Sequence, residues 1–280
     1  GIHMADGDVT GFRIATMAAQ IVFLLVPTMI LARLRFPHVR NVFRFGGVRP
    51  MHIILTILAV FALQQLLQTY MLLQESIPIE LPPALHEVID QLKQMMEQMY
   101  RLLTAADSFG EFLFVVLVIA VTPAVCEELL FRGLIQRTLE EPTETLVALA
   151  EERKKRGLRA AVIGGVIFGL YHLNPFTLVP LAALGVYFGF VVYRTRTIGP
   201  AIAAHFFNNF LACLAIYLRL DENFIAVSPT ERPTALMLAV NVAWSAVVFV
   251  VATYYLVRIT NSLHQSQAGS DFPSLNPTPA

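Results

Sequence analysis

Charge is scarce in this chain. Only 14% of its 280 residues are Asp, Glu, Lys or Arg, where soluble domains carry roughly 25%. With 56% hydrophobic residues and a mean hydropathy of +0.63, the composition excludes a water-soluble domain and implies an integral membrane protein. The formal net charge is zero, so nothing favours nucleic acid as a partner. Lysine is scarcer still, with Lys93, Lys154 and Lys155 the only three among twenty basic residues. The two cysteines, Cys126 and Cys213, both lie in apolar runs, which argues against a disulfide framework. Cys126 is also a poor nucleophile in such a setting. A cleavable signal peptide is not expected, because the first apolar run is long and lacks a basic start and a small-residue cleavage site. Gly1-Ile-His-Met4 reads as a vector scar, with Met4 the natural start. There is no internal repeat, no His-Glu-x-x-His helix and no Gly-x-Ser-x-Gly elbow, and a serine hydrolase is thereby disfavoured.

What is present is apolar helix. Stretches near 12–32, 51–73, 110–135, 159–173, 177–193, 200–218 and 235–257 reach or approach spanning length, about 17–25 residues. The fourth and fifth are short and are separated by Asn174-Pro175, so they read as a tight helical hairpin. The expected fold is all-α: a polytopic membrane helix bundle of about seven transmembrane helices plus one amphipathic helix. That amphipathic helix is 83–103, where Leu85, Ile89, Leu92, Met96, Met99 and Leu103 recur every three to four residues between charged ones. It reads as a surface helix packed on the bundle, or as a lid over a substrate entrance. The expected organisation is 1–109 for the N-terminal helices and amphipathic helix, 110–218 for a catalytic core, 219–260 for a loop and last span, and 261–280 for a disordered, Ser-, Gln-, Gly- and Pro-rich tail.

Loop charges give an orientation. Arg33, Arg35, Arg40, Arg44 and Arg49 crowd one loop, Arg153-Lys-Lys-Arg156 and Arg159 another, and Arg194 and Arg196 a third. These alternate with acidic or neutral loops. By the positive-inside rule the N-terminus is expected outside and the C-terminus, after Arg258, in the cytoplasm of a bacterial plasma membrane.

The polar residues within the apolar runs are few, and each ionised one costs at least about 2.5–3.5 kcal/mol at the bilayer centre. Glu127 and Glu128 end the run that begins near Phe112, and Arg132 follows one turn later. Adjacent helical residues point about 100° apart, so the two glutamates cannot share a role. Glu128 and Arg132 are four apart in the favourable order for an ion pair. Glu127 is left without that partner and is the candidate general base. His172 ends the run Phe168-Gly-Leu-Tyr-His172. His205 and Asn209, again four apart, share a helix face, while Asn208 lies off it and reads as a packing or interhelical hydrogen-bonding residue. At 1.5 Å per residue Glu127 lies roughly 18 Å from Leu139 and His172 roughly 20 Å from Arg159, so the two can meet at one depth. His205 is only about 9 Å from Gly199, so its helix must start below the surface. A carboxylate, two imidazoles and an amide can activate water and stabilise an oxyanion in a cavity expected to open toward the cytoplasm. Glu127, His172 and His205 are also one carboxylate and two imidazoles, a known catalytic zinc ligand set. A proton or ion relay uses similar residues, but inverted repeats and matching broken helices are missing.

Glu-Glu-x-x-x-Arg at 127–132, Phe-x-x-x-His at 168–172 and His-x-x-x-Asn at 205–209, in that order on successive helices, resemble the three motifs of the CPBP family. This family comprises the CAAX proteases and bacteriocin-processing enzymes, including type II prenyl-protein CAAX endopeptidases. The resemblance covers roughly 110–215. It implies an intramembrane endopeptidase that cuts near the C-terminus of a peptide or membrane-protein substrate, lipidated substrates included. It further implies that Glu127 and His172 activate water, that His205 and Asn209 hold the oxyanion, and that Glu128 and Arg132 support the site. Both zinc-dependent and metal-free mechanisms have been described for the family; the metal-free glutamate route is the expectation here, with zinc as the alternative cofactor. A scaffold or immunity protein that keeps the fold without turnover is the remaining reading, and the completeness of the motifs argues against it.

Overall fold

The structure is a computed structural model that describes residues 6–77, 82–140, 150–220 and 234–270. Among these residues it is helical throughout, with no strand. We number nine helices: α1 (6–35), α2 (Val39–Val42), α3 (Pro50–Ser76), α4 (Pro83–Thr104), α5 (Phe109–Glu140), α6 (Ala150–Tyr171), α7 (Leu178–Thr195), α8 (Gly199–Tyr217) and α9 (Ala235–Ser270). The expected polytopic bundle and its amphipathic helix are both present. The proposed vector scar lies outside the described residues.

Among the described residues six helices are long and apolar enough to cross a membrane. α6 is not among them. Its first ten residues, Ala150-Glu-Glu-Arg-Lys-Lys-Arg-Gly-Leu-Arg159, are too charged for the bilayer core, which leaves an apolar stretch of only half a span. A turn at 172–177 joins it to α7 as the expected hairpin. The turn is built from Leu173, whose φ of 50° closes the helix, and from an Asx turn in which Asn174 Oδ1 accepts from Phe176 N at 3.0 Å. The last helix also departs from expectation. α9 runs to Ser270 rather than stopping before 261, because the Gln and Ala residues past Asn261 are good helix formers that need no bilayer. Residues 271–280 of the expected tail lie outside the described set.

The hairpin α6–α7 packs backbone to backbone. A Cβ at Gly185 would stand 2.8 Å from Gly165 O, one at Gly169 would stand 2.8 Å from Ala182 N, and one at Gly165 would strike the backbone of Val186. Gly165 and Gly169, and Gly185 and Gly189, form small-xxx-small pairs on the facing helices. Close approach substitutes in lipid for the hydrophobic drive available in water.

α5 is widened into π turns at Leu117–Val121 and Leu129–Ile135. The first precedes Pro123, which has no N–H to offer the carbonyl of Ile119 four residues back. The second begins directly after Glu128. Upstream, Ser108 caps α5 by accepting from Glu111 N at 3.2 Å, as a Ser-x-x-Glu box predicts. Glu111 in turn pairs with Arg13 of α1 at 2.6 Å. Arg13 is buried and also donates to the carbonyls of Leu102, Leu103 and Ala105, so one guanidinium satisfies the orphan carbonyls at the end of α4 and pins that end to α1.

Candidate active site

The site is assembled from α5, α6 and α8. The loop ahead of α3 tucks against the start of α8, with Val48 beside Gly199 and Ile198 N donating to Arg44 O at 3.4 Å. His205 stands level with the two glutamates, 3.9 Å from Glu127 Oε2 and 2.9 Å from Glu128 Oε1.

Glu128 is fully buried and takes both partners the geometry allows on one oxygen. Arg132 Nη1 donates to Glu128 Oε1 at 2.8 Å, and His205 Nδ1 contacts the same atom at 2.9 Å. The Arg132 pair is the one read from the spacing; the His205 link was not foreseen. Arg132 Nη2 then donates to Gly185 O at 2.9 Å, and its guanidinium lies over the rings of Phe168 at 4.5 Å and Phe188 at 5.2 Å. The pattern continues down α5. Gln136 Nε2 donates to Gly189 O at 3.0 Å and to Glu140 Oε1 at 2.9 Å, and Glu140 meets Arg44. Glu128, Arg132, Gln136 and Glu140 are four residues apart in succession, so one polar spine runs from the site to the basic end of the bundle. That spacing was available in the sequence, but Gln136 and Glu140 were not read as part of it.

Glu127 points elsewhere. Its Oε2 is buried with no hydrogen-bond partner among protein groups, and it faces His172 Nε2 and His205 Nε2 at 3.9 Å each. Each imidazole is anchored through its other nitrogen. His172 Nδ1 stands 2.8 Å from Phe168 O, so that nitrogen is the donor and Nε2 carries a lone pair toward Glu127 in the neutral ring. His205 Nδ1 is held by Glu128, and its ring stacks on Phe188 at 5.4 Å and 13°. His172 is the most exposed of the three, with 28% of its side chain accessible. It lies at the turn end of α6, opposite that helix's basic start.

Asn209 is a turn below His205 on α8 and donates from Nδ2 to Ile119 O at 3.0 Å. This is the carbonyl that Pro123 leaves without its ordinary donor. One amide hydrogen is thus used to repair α5, and a second remains on the same nitrogen. Asn208 Nδ2 contacts Asn209 Oδ1 at 3.4 Å.

Zinc requires donors about 3.3–3.4 Å apart, from bond lengths of about 2.0–2.1 Å in a tetrahedron. The Glu127–imidazole separations are 3.9 Å, and no group of three His, Cys, Asp or Glu among the described residues is arranged to hold an ion. As placed, Glu127 stands about half an ångström farther from each imidazole than zinc ligands do, with its Oε2 unpartnered between them.

Residues 109–211 match the family model for the Type II CAAX prenyl endopeptidase Rce1-like domain. Over these residues the chain is similar to the CAAX-protease domain. Its limits take in α5 through most of α8, and so include Glu127, Glu128, Arg132, His172, His205 and Asn209. No curated protein and no solved structure matches the chain. This match and the apolar helices together support a multi-pass membrane protein.

Proposed function

We propose that the chain is an intramembrane endopeptidase in which Glu127 and His172 activate the attacking water. The observation that carries the reading is the pair of acceptors facing each other, Glu127 Oε2 and His172 Nε2, 3.9 Å apart. A water about 2.8 Å from both would subtend about 90°, close to the angle between its own O–H bonds. Both hydrogens would then be engaged and a lone pair would be turned outward for attack. Glu127 takes the proton as the water adds to the scissile carbonyl, and later passes it to the leaving amine.

The resulting oxyanion falls to His205 and Asn209. With Nδ1–H committed to Glu128, His205 can donate from Nε2 only as imidazolium, and Glu127 and Glu128 on either side supply the balancing charge. The free amide hydrogen of Asn209 is the second donor. The substrate in this reading is a peptide or membrane protein cut near its C-terminus, with prenylated substrates included.

The test is cleavage of a prenylated peptide ending in a CAAX sequence by purified full-length protein, followed by mass spectrometry. Glu127→Gln and His172→Ala are each expected to lower kcat by about 10²–10⁴-fold. Wild-type turnover in either variant would overturn the assignment. Activity is expected to persist in excess chelator; loss on chelation with recovery on added Zn²⁺ would instead support the metal route.

A further inference from the structure

We infer that Lys93, on the amphipathic helix α4, receives the C-terminal carboxylate of the substrate. The inference rests on the proteolytic reading above and adds a residue from outside the matched domain. Lys93 is half-buried, and its ammonium lies 5.1 Å from the ring centre of Phe176, in the turn that immediately follows His172. No carboxylate stands within ion-pair distance of it among the described residues. The nearest acids along its own helix do not take it: Asp90 faces His86 at 3.5 Å, and Glu97 pairs with no described residue.

The other buried cations near this region are committed. Arg132 is bound to Glu128 and Gly185, and Arg13 to Glu111 and the end of α4. Among the described residues Lys93 is therefore a cation without a carboxylate partner beside the turn that follows His172, and α4 is anchored there. Its C-terminal end is clamped by Arg13, and the helix rests on α1 and α8.

The lengths agree. An enzyme that cuts a fixed few residues from a C-terminus must sense that terminus. Three extended residues span about 10 Å, and the four steps from His172 to Phe176 span at most about 14 Å. A carboxylate three residues beyond a bond cut at Glu127 and His172 thus falls within reach of an ammonium above Phe176. The aromatic ring holds the ammonium without neutralising it, which leaves its charge free for an anion.

Two prenylated CAAX peptides, one ending in a free carboxylate and one in a carboxamide, distinguish the outcomes. With the full-length protein in detergent, the amide is expected to raise KM by about ten-fold or more. Lys93→Ala is expected to raise KM for the free acid until the two peptides are alike, and Lys93→Arg to restore the difference. Equal KM values for both peptides in the wild type, or an undiminished difference in Lys93→Ala, would overturn the inference. If no Glu127-dependent cleavage occurs, the proteolytic reading has failed, and the site is then tested by binding. Fluorescence anisotropy of the same labelled peptides on Glu127→Gln protein must show tighter binding of the acid than of the amide, abolished by adding Lys93→Ala; equal binding overturns the inference independently of turnover.

Discussion

Glu127 and Glu128 differ by one position and by almost everything around them. Glu128 is fully enclosed, fixed by Arg132 and His205, and linked through Gly185 to the hairpin. Glu127 meets only two imidazole nitrogens at 3.9 Å. Removing one partner of a buried ion pair leaves the other charge uncompensated, at a cost of about 3–5 kcal/mol. Glu128→Ala is accordingly expected to lower unfolding free energy in micelles by that amount, whereas Glu127→Gln leaves it nearly unchanged. Denaturant unfolding followed by circular dichroism checks both, and a loss below about 1 kcal/mol for Glu128→Ala would remove its structural role. The Arg132 partner was legible because both residues lie on one helix, four apart. The His205 partner was not, since it joins residues 77 apart in sequence through the depth at which α8 begins. No local spacing encodes that depth; it follows from where Val48 and Gly199 meet.

At the scale of elements, the α6–α7 hairpin sets the height of His172 and supplies the carbonyls that hold Arg132 and Gln136. Its separation is fixed by glycines with unequal surroundings. A Cβ at Gly165 would strike the backbone of Val186, while one at Gly164 would find its nearest neighbour, Phe131 O, at 3.9 Å. Gly165→Ala is expected to destabilise by about 1–3 kcal/mol through forced separation of the helices, and to lower kcat as His172 shifts. Gly164→Ala should be close to neutral on both counts. Parallel unfolding and turnover measurements decide, and equal behaviour of the two variants would show that close packing does not position the site. The hairpin itself was readable from two short apolar runs around Asn174-Pro175. The short apolar part of α6 was harder to see, because it resembles a span until the charge of 151–159 is weighed against bilayer thickness.

At the scale of the whole molecule, charge is distributed by end. The Arg-rich loop after α1, the start of α6 and the α7–α8 connection gather at one end, where Arg44 meets Glu140 and lies close enough to Arg196 to act on it electrostatically. The other end holds α4, the clamp at Arg13 and the turn beside His172. If the basic end lies in the cytoplasm, as positive-inside bias requires, then α4 and the exposed edge of His172 lie toward the outer face. Cysteine labelling separates the two ends, because native Cys126 and Cys213 are buried and give little background. Gln91→Cys on the exposed side of α4 and Lys154→Cys on the exposed start of α6 are suitable probes. A membrane-impermeant maleimide is expected to modify Gln91→Cys in intact cells and Lys154→Cys only after permeabilisation. The reverse pattern would invert the bundle and turn the His172 edge to the cytoplasm, so the same experiment fixes the compartment from which a substrate must arrive.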